Sequence, residues 1–171
     1  MKIIGTSDWS KEGIELKSAG IIMAASDLEL GCDVRLATGG IMLRGKNFFT
    51  YGEFQDLLEQ DYIPDDWRLL TISEANKLIS HYAGNDMTSK RFVEALCLGY
   101  EGYVYPRMAD YNEVPAKFSC AIENRLLEGR YWVESPYDDS LYALWVHPHR
   151  KPELGVFCPT SGARIRLVRS I

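Results

Sequence analysis

The feature that most constrains this chain is a device used twice, Thr50-x-x-Glu53 and Thr71-x-x-Glu74. In such a capping box the threonine hydroxyl accepts from the glutamate N–H while the carboxylate accepts from the threonine N–H. Two donors orphaned at a helix start are thereby satisfied together. Apolar residues at helical spacing follow each box. Phe54, Leu57 and Leu58 follow the first, with Pro64 ending the segment; Ala75, Leu78, Ile79 and Tyr82 follow the second, with Gly84 closing it. A third run carries Phe92, Ala95 and Leu96 and stops at Gly99. Helices are thus confined to the middle of the chain.

On either side the period is two. Short β-prone runs punctuated by Gly5, Gly13 and Gly20 come first, then two strands, Val34–Ala37 and Ile41–Arg44, around Thr38-Gly39-Gly40. After Gly99 the strand candidates are GYVYP, RYWVESP, LYALWVH, GVFCP and ARIRLVRS. LYALWV is apolar on both faces and is expected at the centre of a sheet. In the last run Ala163, Ile165 and Leu167 share one face, with Arg164 and Arg166 on the other. Strands, then helices, then strands predict an α+β fold. Residues 1–46 read as a β-rich N-terminal extension and 47–171 as the main domain.

A hydrophobic fraction of 46% with 25% charge describes an ordinary globular chain, and 171 residues suffice for one real core. A net charge of −5 argues against nucleic acid as a partner, since phosphate contacts need clustered cations. The charge is uneven: after Trp145, Arg150, Lys151, Arg164, Arg166 and Arg169 stand against Glu153 alone. Solvated strand edges are the simplest reading, and docking of this basic end on the acidic body of another copy is the alternative. No signal-peptide core and no apolar run of membrane-span length occur, so a chain made and kept in a cytoplasm, or released from it by lysis, is expected, without membrane insertion. Cys32, Cys97, Cys120 and Cys158 are scattered, which predicts reduced, packed thiols rather than zinc ligands.

DDWRLLTISEANKL, around the second box, resembles the Gly-Trp-Arg-Leu-Pro-Thr-x-x-Glu-Trp pattern of bacterial C-type-lectin-like domains of the Fibrobacter succinogenes paralogous and Lcl C-terminal types. NFFTYGEFQDL, LCLGYEGYV, EGRYWVESPYDDSLYALWV and GARIRLVR are similar to further pieces in the same order. The resemblance covers residues 47–105 and 129–170 and implies two to three short helices packed on a small antiparallel sheet. It implies structural work for Trp67, Arg68, Thr71, Glu74, Trp132 and Arg166: Trp67 plugs the core, Arg68 pins a buried backbone or carboxylate, Thr71 and Glu74 cap a helix. Leu70, Asp66 and Val133-Glu134 depart from the family's Pro, Gly and Ser-Ser, and the connection 107–127 is lengthened. In this fold such loops commonly carry the binding surface.

The residues that carry chemistry are few. Calcium-dependent lectins hold their ion through Glu-Pro-Asn or Gln-Pro-Asp and Trp-Asn-Asp; here Asp138 and Asp139 follow Glu134-Ser135-Pro136 in a polar turn instead. His147-Pro148-His149 could share a metal by alternation but lacks a third ligand in sequence, so a turn is expected. His81 lies off its helix's apolar stripe. No nucleophile–base motif is present, and no cofactor, metal or enzymatic role is expected. Tyrosines around the long connection suit a binding face, with Tyr105, Tyr111, Asn112 and Tyr137 as the ligand-contacting candidates. Of Tyr131 and Trp132, alternation turns one inward. The expectation is a non-catalytic attachment protein, such as a phage virion component, recognising a protein or surface glycan, or assembling with its own copies. The alternative is an intracellular enzyme or small-molecule binder with its site in 107–127.

Overall fold

Both threonine–glutamate boxes are formed. Thr50 and Thr71 each accept from the N–H of their glutamate at 3.1 Å, and each glutamate accepts in return. The structure, a computed structural model, describes residues 13–29, 34–35, 42–43, 48–100, 128–136 and 140–171. In chain order its elements are β1 (Gly13–Leu16), β2 (Ile21–Ala24), β3 (Val34–Arg35), β4 (Met42–Leu43), α1 (Tyr51–Glu59), α2 (Ile72–Leu78), α3 (Lys90–Leu96), β5 (Gly129–Trp132), β6 (Tyr142–His147), β7 (Arg150–Val156) and β8 (Val168–Ser170). The fold is mixed α+β with small antiparallel sheets ordered β1-β2-β8 and β5-β6-β7, beside the short pair β3-β4.

The helices keep their starts and shift their ends. Phe54 and Leu57 of α1 are buried, whereas Leu58, expected on the same stripe, is 42% exposed. α2 passes into a π turn, Ile79–Ala83, and the extra residue in that turn puts Ala83 in the core and leaves Tyr82 half-buried. α3 ends three residues before Gly99: Cys97 takes the left-handed conformation (φ 52°), and the Leu98 N–H reaches back to the Val93 carbonyl at 2.9 Å.

The sheet β5-β6-β7 has a core on each face. On the front, Trp132, Ala143 and Phe157 join Phe54 and Leu57 of α1, together with Phe49 and Trp67. On the back, Tyr131, Leu144 and Val146 meet Ala75 and Leu78 of α2 and Phe92 and Leu96 of α3. Tyr131 and Trp132 are therefore both buried, at 3% and 1% exposure, where alternation alone turned one inward. The Trp132 indole N–H donates to the Phe49 carbonyl at 2.6 Å, and the Tyr131 hydroxyl accepts from the Gly99 N–H at 2.9 Å. Gly99 lies so close to β5 that a Cβ on Gly129 would run into its carbonyl.

One extended run, residues 163–168, ties these parts together. Ala163 exchanges backbone hydrogen bonds with Phe49, and Val168 with Arg68. Arg164 bonds to both Arg130 and Trp132, while the Ile165 and Leu167 carbonyls accept from Leu28 and Ala24. Ala163, Ile165 and Leu167 enter the front core. Arg164 and Arg166 are not on a solvated edge: they are 4% and 5% exposed and share one carboxylate. Arg164 Nε donates to Asp27 Oδ2 and Arg166 Nε to Asp27 Oδ1, both at 2.8 Å. Arg166 also donates to the carbonyls of Ala24 (3.2 Å), Leu96 (3.0 Å) and Cys97 (2.8 Å), so it caps the C-terminal end of α3, where the helix dipole favours a cation.

Residues 13–29, read from sequence as part of an extension, supply two strands and pack into this body. β2 pairs on one side with β1 and on the other with β8, and Leu16, Ile21 and Met23 enter the back core while Ala24 and Leu28 enter the front one. Asp27→Ala would leave two buried guanidinium groups without their carboxylate. It should cost about 3–5 kcal/mol of stability, measured by urea unfolding at pH 7.

Candidate functional site

The motif around the second box is built as a brace. Trp67 is 6% exposed, inside the front core, with the Arg169 guanidinium 5.5 Å from its ring centre. Arg68 grips Glu74 with two hydrogen bonds of 2.7 and 2.8 Å and donates to the Leu69 carbonyl at 3.1 Å. Its side chain is 35% exposed, so the fork is half in solvent rather than buried. Burial pushes the Glu74 carboxyl up, but the Arg68 guanidinium and the Thr71 N–H outweigh it and hold the group below the usual carboxylate range. Trp132 and Arg166 are buried elsewhere, Trp132 in the front core and Arg166 against the end of α3. Tyr105, Tyr111, Asn112 and Tyr137 lie outside the described residues, as do Asp138, Asp139, Cys32, Cys120 and the whole of 107–127. Cys97 and Cys158 are free and exposed, not packed.

A partly enclosed cavity among the described residues lies on the front of β5-β6-β7, one step along from the core. Register places Trp132, Ala143 and Gly155 in one row across the three strands, and Arg130, Trp145 and Glu153 in the next row. Alternation adds Glu128, His147 and Lys151 on the same side beyond them. Within two residues the front of the sheet changes from apolar to charged. These side chains and Arg150 line a cavity of about 290 Å³.

Arg130 is its anchor. The residue is 6% exposed, and its guanidinium carbon lies 4.1 Å from the Trp145 ring centre and 4.7 Å from that of Phe157. Cation–π attraction to both rings and a 3.3 Å contact from Nε to Glu128 Oε1 hold it in place.

No family model, curated protein or solved structure matches this chain. The cavity therefore has to be read from its own chemistry.

Its far wall is clamped by Ser89, which is fully buried. The Ser89 hydroxyl donates to the Arg150 carbonyl at 2.7 Å and accepts from the His147 N–H at 3.0 Å, fixing the β6–β7 turn against the start of α3. His147 Nδ1 accepts from the His149 N–H at 2.9 Å, so that nitrogen is taken, and the pair forms a turn rather than a chelate. No group of three metal-ligating side chains occurs among the described residues. The Trp145 ring is seated on Gly155, where an added Cβ would lie 2.7 Å from the indole, and its Nε1–H is buried with no acceptor.

A second concavity is broad and open. The solvent side of α2 and the turn after it (Ser73, Asn76, Lys77, Ser80, His81) face Ser18 and Pro136 across it. His81 is exposed there, packed edge-on against Tyr82 at 4.7 Å.

Sequence reasoning missed Arg130, Trp145 and Glu153 as a group. Their alternation is visible along each strand, but only the strand register sets them in one row.

Two tests follow from this geometry. Gly155→Ala should push the Trp145 ring off its seat and cost about 1–3 kcal/mol, read as a shift in tryptophan fluorescence and in the urea midpoint. Because the Glu74 pKa is lowered on folding, its contribution is complete above the unfolded carboxyl pKa and is lost as pH falls through the folded value. Glu74→Gln should thus be about 1 kcal/mol less stable than the parent at pH 7, with the gap closing below pH ~4, in parallel urea titrations.

Proposed function

We propose that this chain is a non-catalytic binding protein with a C-type-lectin-like domain, which attaches to a surface glycan or to a neighbouring protein subunit. The observation that carries the reading is the donor-rich cavity on a sheet packed on both faces, with its central arginine held between two aromatic rings. Groups fixed in this way lose little freedom when a ligand arrives, and that preorganisation favours recognition. The lectin-like assignment is supported by the five sequence pieces in register, and by short helices packed with a small antiparallel sheet. Membership of a phage virion, as a tail, fibre or decoration component, is supported by the resemblance to that kind of domain.

The fold gives a reason for placing recognition here rather than at the Trp67–Arg68 motif, whose polar groups are engaged by Glu74 and by backbone. The partly enclosed, titratable character of the cavity also favours a second reading, a binder of free small molecules. A glycan array probed with the labelled full-length chain separates them: binding to immobilised saccharides, unchanged by EDTA, is the expected result. Binding lost in EDTA would point to a calcium-dependent site, and silence across the array would favour the subunit or small-molecule readings.

A further inference from the structure

Cys97 and Cys158 are both free and exposed, yet their sulfurs meet opposite surroundings. Cys97 Sγ lies 3.9 Å from the Glu94 carbonyl, a contact that only a thiol carrying its proton makes. Cys158 Sγ lies 3.1 Å from the Thr160 hydroxyl, a group that can donate to it. The turn Cys158-Pro159-Thr160-Ser161 is pinned from both ends. Before it the Phe157 N–H donates to the Leu141 carbonyl, and after it Ala163 is bonded to Phe49. Within it the Ser161 N–H donates to the Cys158 carbonyl at 3.0 Å, with Pro159 at the position that favours proline. Ser161 is fully buried, and its hydroxyl has no hydrogen-bond partner among the described residues. A buried hydroxyl left unpaired is costly. This one lies beside the Cys158 sulfur and has that sulfur, once ionised, as its acceptor.

We propose that Cys158 is a thiol–disulfide exchange site, which takes up a small disulfide and carries half of it as a mixed disulfide. The Cys158 thiol gives its proton to solvent, and the thiolate attacks one sulfur of the small disulfide. A new S–S bond forms to Cys158 and the old one breaks. Its electron pair leaves on the other sulfur as a thiolate, which takes a proton from water. The small disulfide is itself the oxidant, so the step balances without another. Exposure of the sulfur admits the reactant, and the donors of Thr160 and Ser161 steady the attacking anion. The hydroxyl and N–H of Thr160, joined by those of Ser161, hold the Cys158 thiol below the usual thiol range against burial, which pushes it up. The assignment is independent of the glycan-binding reading.

The test is reaction of the folded, full-length chain at pH 7 with bis(2-hydroxyethyl) disulfide, an uncharged probe. Each cysteine is followed by peptide mass mapping, and Cys97 is the exposed comparison within the same molecule. Cys158 should be modified about threefold faster than Cys97, because the gain in thiolate outweighs the nucleophilicity lost with a lowered pKa. The double variant Thr160→Val, Ser161→Ala, checked for folding by circular dichroism, should bring Cys158 down to the rate of Cys97 and leave Cys97 unchanged. In urea the two rates in the parent should converge, since the folded donors are gone. A Cys158 rate no higher than that of Cys97 in the folded parent would overturn the proposal. So would a double variant as fast as the parent at Cys158, or a difference that survives unfolding, which would put the cause in local sequence. Should the double variant fail to fold, Thr160→Val alone decides, because it alters only an exposed side chain. Slowing at Cys158 but not at Cys97 would then support the site, and an unchanged rate would sink it.

Discussion

A single buried carboxylate holds the two ends of this molecule together. Asp27 accepts from Arg164 and Arg166, which lie 137 and 139 positions away in sequence, and all three are nearly inaccessible to water. Burying charge is costly unless geometry and further hydrogen bonds compensate, and here they do so on the arginine side. Arg166 spends its remaining donors on the carbonyls of Ala24, Leu96 and Cys97, so one side chain joins β2, the end of α3 and the 163–168 run. An apolar trio could fill the same volume, but it would not fix which strand lies where. The charged trio can be satisfied in few arrangements, and the position of everything that touches the run follows from it.

What could be read from the sequence was local. The capping boxes announce themselves within four residues, and α1 and α2 begin where Thr50 and Thr71 place them. The apolar character of LYALWV on both faces puts β6 between β5 and β7. What could not be read depends on partners distant in sequence. Arg164 and Arg166 look like a solvated strand edge until Asp27 is brought to them. Tyr131 and Trp132 look like an in–out pair until a core is found on each face of the sheet. Leu58 fits the stripe of α1 but the helix turns it out to 42% exposure, and the left-handed residue that stops α3 is Cys97, where the nearby Gly99 had the better propensity. The cavity was illegible for a related reason. Its members sit on three strands, and only register puts them side by side.

The same sheet that divides the two cores also presents the site. Moving from the row of Trp132, Ala143 and Gly155 to that of Arg130, Trp145 and Glu153 is one step of the pleat, yet it crosses from packed hydrocarbon to charge. Trp145 and Phe157 make the transition tolerable: their rings belong partly to the front core and partly to Arg130. Gly155 provides the space for the indole, and Ser89 fixes the turn that carries His147 and Arg150. The site is therefore continuous with the core, and its geometry is set by the same contacts that hold the fold.

The pairing of β2 with β8 has a consequence for how the chain acquires its structure in time. Ile21 lies opposite Ser170, and β1 reaches β8 only through β2. Both cores take residues from the 163–168 run, so neither can close while that run is still being synthesised. The helices and the β6–β7 hairpin can form early, because their contacts are local, but they wait as unsealed pieces. Closure of the two cores thus follows the synthesis of residues 163–170, and β2, made long before them, waits for β8 to come and pair with it.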